Sequence, residues 1–375
     1  MNDERPMVSV TVCVRDGVHW VDECLESLVA QTYRPLEIIA IDDGSSDGSK
    51  EKLLGWENSE SEVPIHIFTQ EAKGLSAGRQ RAVEQSKGEW IAITDIDVRP
   101  EPDWINNMML EIQPIDDEEK VVAITGRTIF EHEGDIVSRV RSVEIATKYR
   151  SRPRRTSLAN GPCSMFKRES LLEIGGFNPQ WYHAEDMEVS LRLIAEGGSI
   201  VYAPDAVVRH VPEVESSRFL AKRRRDARAH MRIIRYFPRK KRRGPGLDFI
   251  GSSTLVLTIF PLWVMALISG IPFFFSFLTQ SDWSWEIAKS WWQTQLLLAT
   301  VILMILHEII LWRGPLGIVN RGAIKQGNWS LLTVFKVRNL TLRWSIALWQ
   351  GLFLGLTDAL RGLNGHHKLF RKKLK

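Results

Sequence analysis

Two pairs of aspartates each follow directly on a run of β-forming residues. Asp42-Asp43-Gly44-Ser45 closes Leu36–Ile41, and Asp95-Ile96-Asp97 closes Trp90–Thr94. A third acidic pair, Glu185-Asp186, opens a helical run with Met187, Leu191, Leu193 and Ile194 on apolar spacing. Carboxylates crowded together repel unless a cation joins them. An Asp-x-Asp at a strand end is therefore a candidate divalent-metal site, because hard cations such as Mg²⁺ take carboxylate oxygens and share their remaining positions with phosphates. Alone the pair is weak evidence, since acidic residues are common in turns; in order with the other two clusters it weighs much more. A carboxylate in the first turn of a helix is held ionised by the dipole and the free N–H groups. Asp186 is thus a candidate base, with a plain helix cap as the bland alternative.

These residues need a scaffold that gathers strand ends. Met7–Val14 reads as a strand, and the next helix carries Trp20, Val21, Cys24, Leu25, Leu28 and Val29 on one face. Leu36–Ile41 is a continuous apolar run, as expected of a strand buried on both faces. Ile65–Thr69 leads through Gly74 into a helix from Ser76 to about Ser86. The alternation predicts the α/β class, with an open, mostly parallel sheet flanked by helices. Such sheets bind ligands at the carboxyl ends of their strands, where the first two acidic clusters fall.

The remaining composition divides the chain of 375 residues. Residues 1–215 read as a soluble domain, 216–248 as a basic amphipathic linker helix, and 249–375 as a helical membrane domain. Residues 218–243 hold thirteen Lys/Arg and one acid, Asp226. A basic helix beside an apolar segment reads as a membrane-surface element, so Arg223, Arg224 and Arg225 are expected at the lipid surface. A solvated charged face is the alternative. No aromatic stacking platform or reading motif accompanies the block, so no nucleic acid is expected as partner. A span needs about 20 mainly apolar residues. Residues 249–278 and 291–312 meet that requirement, whereas 345–357 is short and is expected to be re-entrant or interfacial. The basic residues then place both ends of the spans' flanks inside, with the soluble domain cytoplasmic. No C-x-x-C pair occurs among Cys13, Cys24 and Cys163, and no secretory signal is visible, which fits the same side.

Taken together, Val8–Gly48, Lys73-Gly74-Leu75-Ser76-Ala77-Gly78-Arg79, Trp90–Asp97, Asn160-Gly161, Gly175-Gly176-Phe177, Glu185-Asp186 and Tyr202–His210 closely resemble the family-2 inverting glycosyltransferases with the GT-A fold. The resemblance covers about residues 7–212. It implies a nucleotide-sugar donor, a UDP-sugar above others, and Mg²⁺ or Mn²⁺ as cofactor. It places Asp16 and Asp43 near the base or ribose, with Asp42 supporting the turn, and puts Lys73, Gly74 and Arg79 in the donor loop. It puts Asp95 near the ribose or metal, and makes Asp97 and His210 metal ligands. Asp186, beside Glu185, becomes the general base. Asn160, Gly161, Trp181 and Tyr182 fall on the acceptor side, although Trp181 and Tyr182 could equally be packing residues. Arg79 on a surface helix and a structural His210 are likewise open alternatives. The Q-x-x-R-W sequence of processive synthases occurs nowhere, so the resemblance favours transfer of a single sugar to a lipid-linked or cell-envelope glycan in the cell membrane. A processive synthase, or an inactive nucleotide-sugar-binding scaffold, is the competing expectation.

Overall fold

The computed structural model describes residues 5–115, 119–132, 134–150, 152–181, 183–237, 254–279, 292–313 and 330–363, with isolated positions at 284, 317, 319, 321, 322 and 327. The first strands are β1 (Val8–Val14), β2 (Leu36–Asp42), β3 (Ile65–Thr69) and β4 (Trp90–Asp95). They are followed by β5 (Val98–Pro100), β6 (Val121–Phe130), β7 (Arg155–Thr156), β8 (Ser164–Lys167) and β9 (Ser199–His210). Among the described residues they form one mixed sheet in the order β3-β2-β1-β4-β8-β6-β9-β5, with β7 on β9. The helices of this part are α1 (Val21–Val29), α2 (Ser49–Glu57), α3 (Leu75–Gln85), α4 (Trp104–Met109), α5 (Ile136–Arg150), α6 (Arg168–Glu173) and α7 (Glu185–Ala195).

Register explains how distant acids meet. Strands β1, β2, β3 and β4 run parallel, and the run is apolar because β2 is buried along its whole length. Val14 lies level with Asp42 and Cys13 level with Asp95, so both acidic turns leave the sheet at one edge. Antiparallel pairing of β5 with β9 sets Val98 opposite His210, which brings the histidine beside Asp97. Fully buried Val10, Val12, Ile38, Ile41, Ile91 and Trp104 supply the apolar burial that holds this edge in place.

Beyond β9 the chain is helical: α8 (Ser216–Tyr236), α9 (Thr254–Leu257), α10 (Ile259–Thr279), α11 (Trp292–Arg313) and α12 (Leu331–Leu360). Leu255–Thr279 and Trp292–Arg313 are long and apolar enough to cross a membrane. Residues 249–253, and nearly all of the connection between these helices, lie outside the described residues. Within α11, His307 Nε2 lies 2.7 Å from Thr258 Oγ1 and Glu308 accepts from Arg338, so these two polar groups have partners.

The third segment differs from expectation. Residues 345–357 are the middle of one 30-residue helix, α12, rather than a short separate piece. Lys336, Arg338, Arg343 and Asp358 interrupt the hydropathy but are tolerated in a helix, so the apolar window understates the element. Helix α12 lies against α8. Gly351 and Gly355 face it so closely that a Cβ on Gly355 would sit 2.6 Å from Met231 Cβ, and one on Gly351 would strike the Arg224 carbonyl. Arg228 clasps Asp358 through two bonds of 2.6 and 2.7 Å. Phe219 meets Trp344 edge-on at 5.1 Å, and the same apolar cluster takes in Val137 and Val140 of α5. Helix α8 is therefore packed between the sheet domain and the C-terminal helices.

Candidate active site

The turn after β2 is built by its own side chains. Asp42 Oδ1 accepts the Ser45 N–H at 3.2 Å, the turn-supporting contact. Asp16 adopts a φ of 50°, costly for a residue with a Cβ, and is locked there. Its N–H donates to Ser45 Oγ at 3.1 Å and its carboxylate accepts the Ser46 N–H at 2.8 Å. Asp47, not singled out among the acids of this turn, accepts the Val18 and Ser49 N–H groups at 3.0 Å each and so ties the same two loops. Asp43 is buried, and its oxygens accept from Gln70 Nε2, the Lys73 N–H and the Gly74 N–H at 2.7, 2.8 and 2.7 Å. These contacts shape the loop of Lys73 and Gly74; Lys73 itself stays exposed, and Gly74 takes a φ of 98° that suits glycine.

Arg79, far from lying on a surface, is the buried centre of the site. Its Nη1 donates to Glu185 Oε1 at 2.7 Å and its Nη2 to Asp95 Oδ1 at 2.8 Å. One guanidinium thus joins α3, β4 and the start of α7. Gly161 allows it: a Cβ there would lie 2.9 Å from Arg79 Nη2. The Gly161 N–H donates to Asp186 Oδ2 at 3.2 Å, and the Met187 N–H to Asp186 Oδ1 at 2.8 Å. Gly161 therefore aims the candidate base. Burial pushes the Glu185 carboxyl up to about 7, against the pull of Arg79 and helped by the neighbouring Asp186. Burial also raises Asp186, opposed by Arg79 and by the two backbone N–H groups.

Asp97 and His210 face each other, Oδ2 to Nε2 at 3.5 Å. His210 Nδ1 is 2.8 Å from the Val211 carbonyl, so the proton belongs on Nδ1 and the Nε2 lone pair points toward Asp97. Phe130 stacks on the ring at 4.3 Å and fixes its plane. A ligating histidine is held in just this way, by a hydrogen bond from its other nitrogen. No group of three or more His, Cys, Asp or Glu suited to a metal occurs among the described residues. With one Asp95 oxygen given to Arg79, the facing pair is Asp97 and His210. Two protein ligands suit a cation of the Mg²⁺ type, whose other positions go to water and phosphate.

A cavity of about 250 Å³ opens over these groups. Asp95 and Asp186 lie at its floor beside His210, while Arg141, Lys148, Lys222, Arg223 and Arg225 line its walls together with two acids, Glu144 and Asp226. Two of the residues expected at a lipid surface line this cavity. The Arg223 side chain is only 12% exposed and pairs with Asp226 at 3.1 Å, and Arg225 lines the cavity beside it. Packing of α8 against α12 turns that face inward; Arg224 alone of the three is exposed. Arg141 and Lys148 were not predicted. They are seven residues apart on one face of α5, and that spacing was the available signal.

Of the residues expected to meet an acceptor, Asn160 commits its Nδ2 to Tyr149 Oη at 2.9 Å and Thr128 Oγ1 at 3.1 Å. Trp181 is a packing residue: 6% exposed, it sits among Leu158, Met187, Leu191 and Ile233, with Arg232 over its ring. The preceding loop tucks it under α8, so no ring face is left for a sugar. Tyr182 lies outside the described residues.

Parts of the chain are similar to known proteins. Residues 9–175 match the model of the glycosyl transferase family 2. EpsH of Bacillus subtilis (strain 168), named as a glycosyltransferase, is 32% identical over 151 residues, which are 40% of this chain and 41% of that protein. The cholesterol galactosyltransferase of Borreliella burgdorferi is 37% identical over 105 residues, 28% of this chain and 27% of its own. The poly-beta-1,6-N-acetyl-D-glucosamine synthase of Staphylococcus aureus (strain COL) is 24% identical over 211 residues, 55% of this chain and 50% of its own. The matched stretch is thus half or less of each relative's length. Among solved structures, the mannosyltransferase PcManGT from Pyrobaculum calidifontis, in complex with GDP-Man and Mn²⁺, superposes over 95% of this chain and 88% of its own, with a TM-score of 0.58 and 19% identity. Residues 9–175 of the chain are thus similar to the glycosyl transferase family 2, and its mixed sheet flanked by helices is a GT-A fold.

Proposed function

We propose that the protein transfers one sugar from a nucleotide-sugar donor to a hydroxyl of a lipid-linked or cell-envelope glycan, with inversion at the anomeric carbon. The observation that carries this reading is Asp186, partly exposed at the cavity floor, gripped by two backbone N–H groups and raised in basicity by burial. In the proposed step the acceptor hydroxyl gives its proton to Asp186 as its oxygen bonds to the anomeric carbon. The bond from that carbon to the diphosphate breaks on the opposite face, and its electron pair leaves with the nucleoside diphosphate.

The rest of the cavity suits a diphosphate. The turns held by Asp16, Asp42 and Asp43, with Lys73 and Gly74, form the donor side. Asp97 and His210, with Asp95 nearby, are the groups that would hold Mg²⁺ or Mn²⁺. Such an ion supplies Lewis-acid stabilisation of charge on the leaving phosphate. Arg223, Arg225, Lys222 and Lys148 outnumber Glu144 and Asp226 around the same space, although Arg223 pairs with Asp226 and Lys222 with Glu213. PcManGT, of the same fold, was solved with this pair of ligand types. A UDP-sugar is the donor tried first.

The same reading assigns residues 1–215 to catalysis and the apolar helices α10 and α11 to the cell membrane, with catalysis on the cytoplasmic side. Helix α8 is the described part of the basic stretch 216–248, whose residues 238–248 lie outside the described residues, and in this reading it lies at the membrane edge as one wall of the active site. Incubation with nucleotide sugars and membrane lipid extract tests the proposal. A single added sugar of inverted anomeric configuration is expected by mass spectrometry and NMR, whereas a product ladder would move the reading to a polymerising synthase.

A further inference from the structure

A second and larger cavity, of about 730 Å³, lies behind the wall of the catalytic one, between α5 and strands β6 and β9. Its size falls within the roughly 300–1,000 Å³ of small-molecule sites. Four arginines line it, Arg127, Arg150, Arg152 and Arg154, against a single acid, Glu111. Two of them are accounted for by the fold. Arg154 pairs with Glu119 at 2.9 Å and Glu111 at 3.4 Å, and Arg152 donates to the Leu158 carbonyl at 2.6 Å while lying over the rings of Tyr149 and Tyr202. The other two have no such partners. Arg127 and Arg150 enter no ion pair among the described residues, and Arg127 Nε is buried without a hydrogen-bond partner there. A buried donor left unsatisfied costs about 1–3 kcal/mol, more when charged, unless a ligand meets it. Guanidinium groups beside aromatic faces are suited to a planar or tetrahedral oxyanion carried on a sugar.

The two cavities are coupled through shared residues. Phe130 and Tyr149 line both. Phe130 stacks on His210, and the Tyr149 hydroxyl accepts from Asn160, whose neighbour Gly161 aims Asp186. We propose that this cavity binds an oxyanion, phosphate or carboxylate, carried by the acceptor whose hydroxyl reaches Asp186. The acceptor is then an acidic glycan or a phosphorylated glycolipid. This inference rests on the transferase reading.

The test uses the full chain in detergent with excess UDP and GDP to occupy the nucleotide side. Glucose 6-phosphate, glucuronate and glucose are compared by saturation-transfer NMR, the first two separating a phosphate source from a carboxylate source. At least one anionic probe is expected to bind roughly fivefold or more tighter than glucose, and to weaken as salt rises. Arg127→Gln is expected to remove most of that preference; Arg150→Gln, at the exposed end of α5, gives a second reading where the first variant folds poorly. Anions binding no better than glucose, or a preference unchanged in both variants, would overturn the proposal. Nucleotide release by the wild-type protein is followed in the same preparations. If release is absent while the anion preference and its arginine dependence persist, the transferase reading fails and the anion site stands.

Discussion

Arg79 shows how a single side chain organises this site. One buried guanidinium pairs with both Asp95 and Glu185, offsetting one negative charge, while Asp97 and Asp186 remain around it, so the floor keeps negative charge that calls for a cation. Glu185 is held up to about 7 by burial, so the folded protein binds its proton more tightly than the unfolded chain does. The stability this gives is complete below the ordinary glutamate value of 4.5 and is lost as pH rises through about 7. Thermal scans of the metal-free protein should therefore show a midpoint falling from pH 4.5 toward pH 8, and Glu185→Gln should flatten that slope. Activity runs in the opposite sense. Asp186 must be ionised to accept a proton, and burial raises it, so kcat/KM should climb with pH above the usual aspartate range and then level. A profile flat from pH 5 to 8 would remove Asp186 from the base role. The acids were legible in the sequence because each sits at the end of a strand or the start of a helix. Arg141, Lys148, Arg223 and Arg225 were not legible as site residues, since long side chains from α5 and α8 meet them only through tertiary packing.

At the scale of elements, close backbone approach is the recurring device. Gly161 lets Arg79 pass, and Gly351 and Gly355 let α12 lie on α8. Overpacking of this kind costs about 1–3 kcal/mol, occasionally more. Gly161→Val should lower kcat by about tenfold or more through a displaced Arg79 and Asp186, a loss readable in single-turnover kinetics with nucleotide affinity largely kept. Gly355→Leu should part α8 from α12 and strip the basic wall from the cavity, seen as weaker nucleotide diphosphate binding. The parallel strands β1, β2, β3 and β4 were readable from apolar runs bounded by turn residues. Helix α12 was not, because hydropathy reports lipid preference whereas the helix continues through its charged residues. Trp181 misled for a related reason: aromatics before an active-site helix look alike whether they stack on a sugar or pack under a neighbouring helix.

For the whole molecule, the sheet domain and the two apolar helices share packing among the described residues. Val137 and Val140 of α5 share one apolar cluster with Phe219 of α8 and Trp344 of α12. The proposed topology puts the connection between α10 and α11 outside the cell and the catalytic domain inside. Reporter cysteines at Ser284 and Glu60 check it, since Cys24 and Cys163 are buried and Cys13 is partly so. In intact cells a membrane-impermeant maleimide should label the Ser284→Cys protein but reach the Glu60→Cys protein only after permeabilisation. Labelling of the second in intact cells would reverse the orientation.

The central claim is that Asp186 drives metal-assisted transfer from a nucleotide sugar. Its most direct test is nucleotide release from UDP-, GDP- and dTDP-sugars by detergent-purified protein, with membrane lipid extract as acceptor and Mg²⁺, Mn²⁺ or EDTA added. Release from one donor is expected with metal and not with EDTA, and it should fall by about 100-fold or more in Asp186→Asn while nucleotide still binds. Release that is undiminished in Asp186→Asn, or absent from every donor despite nucleotide binding, would contradict the account.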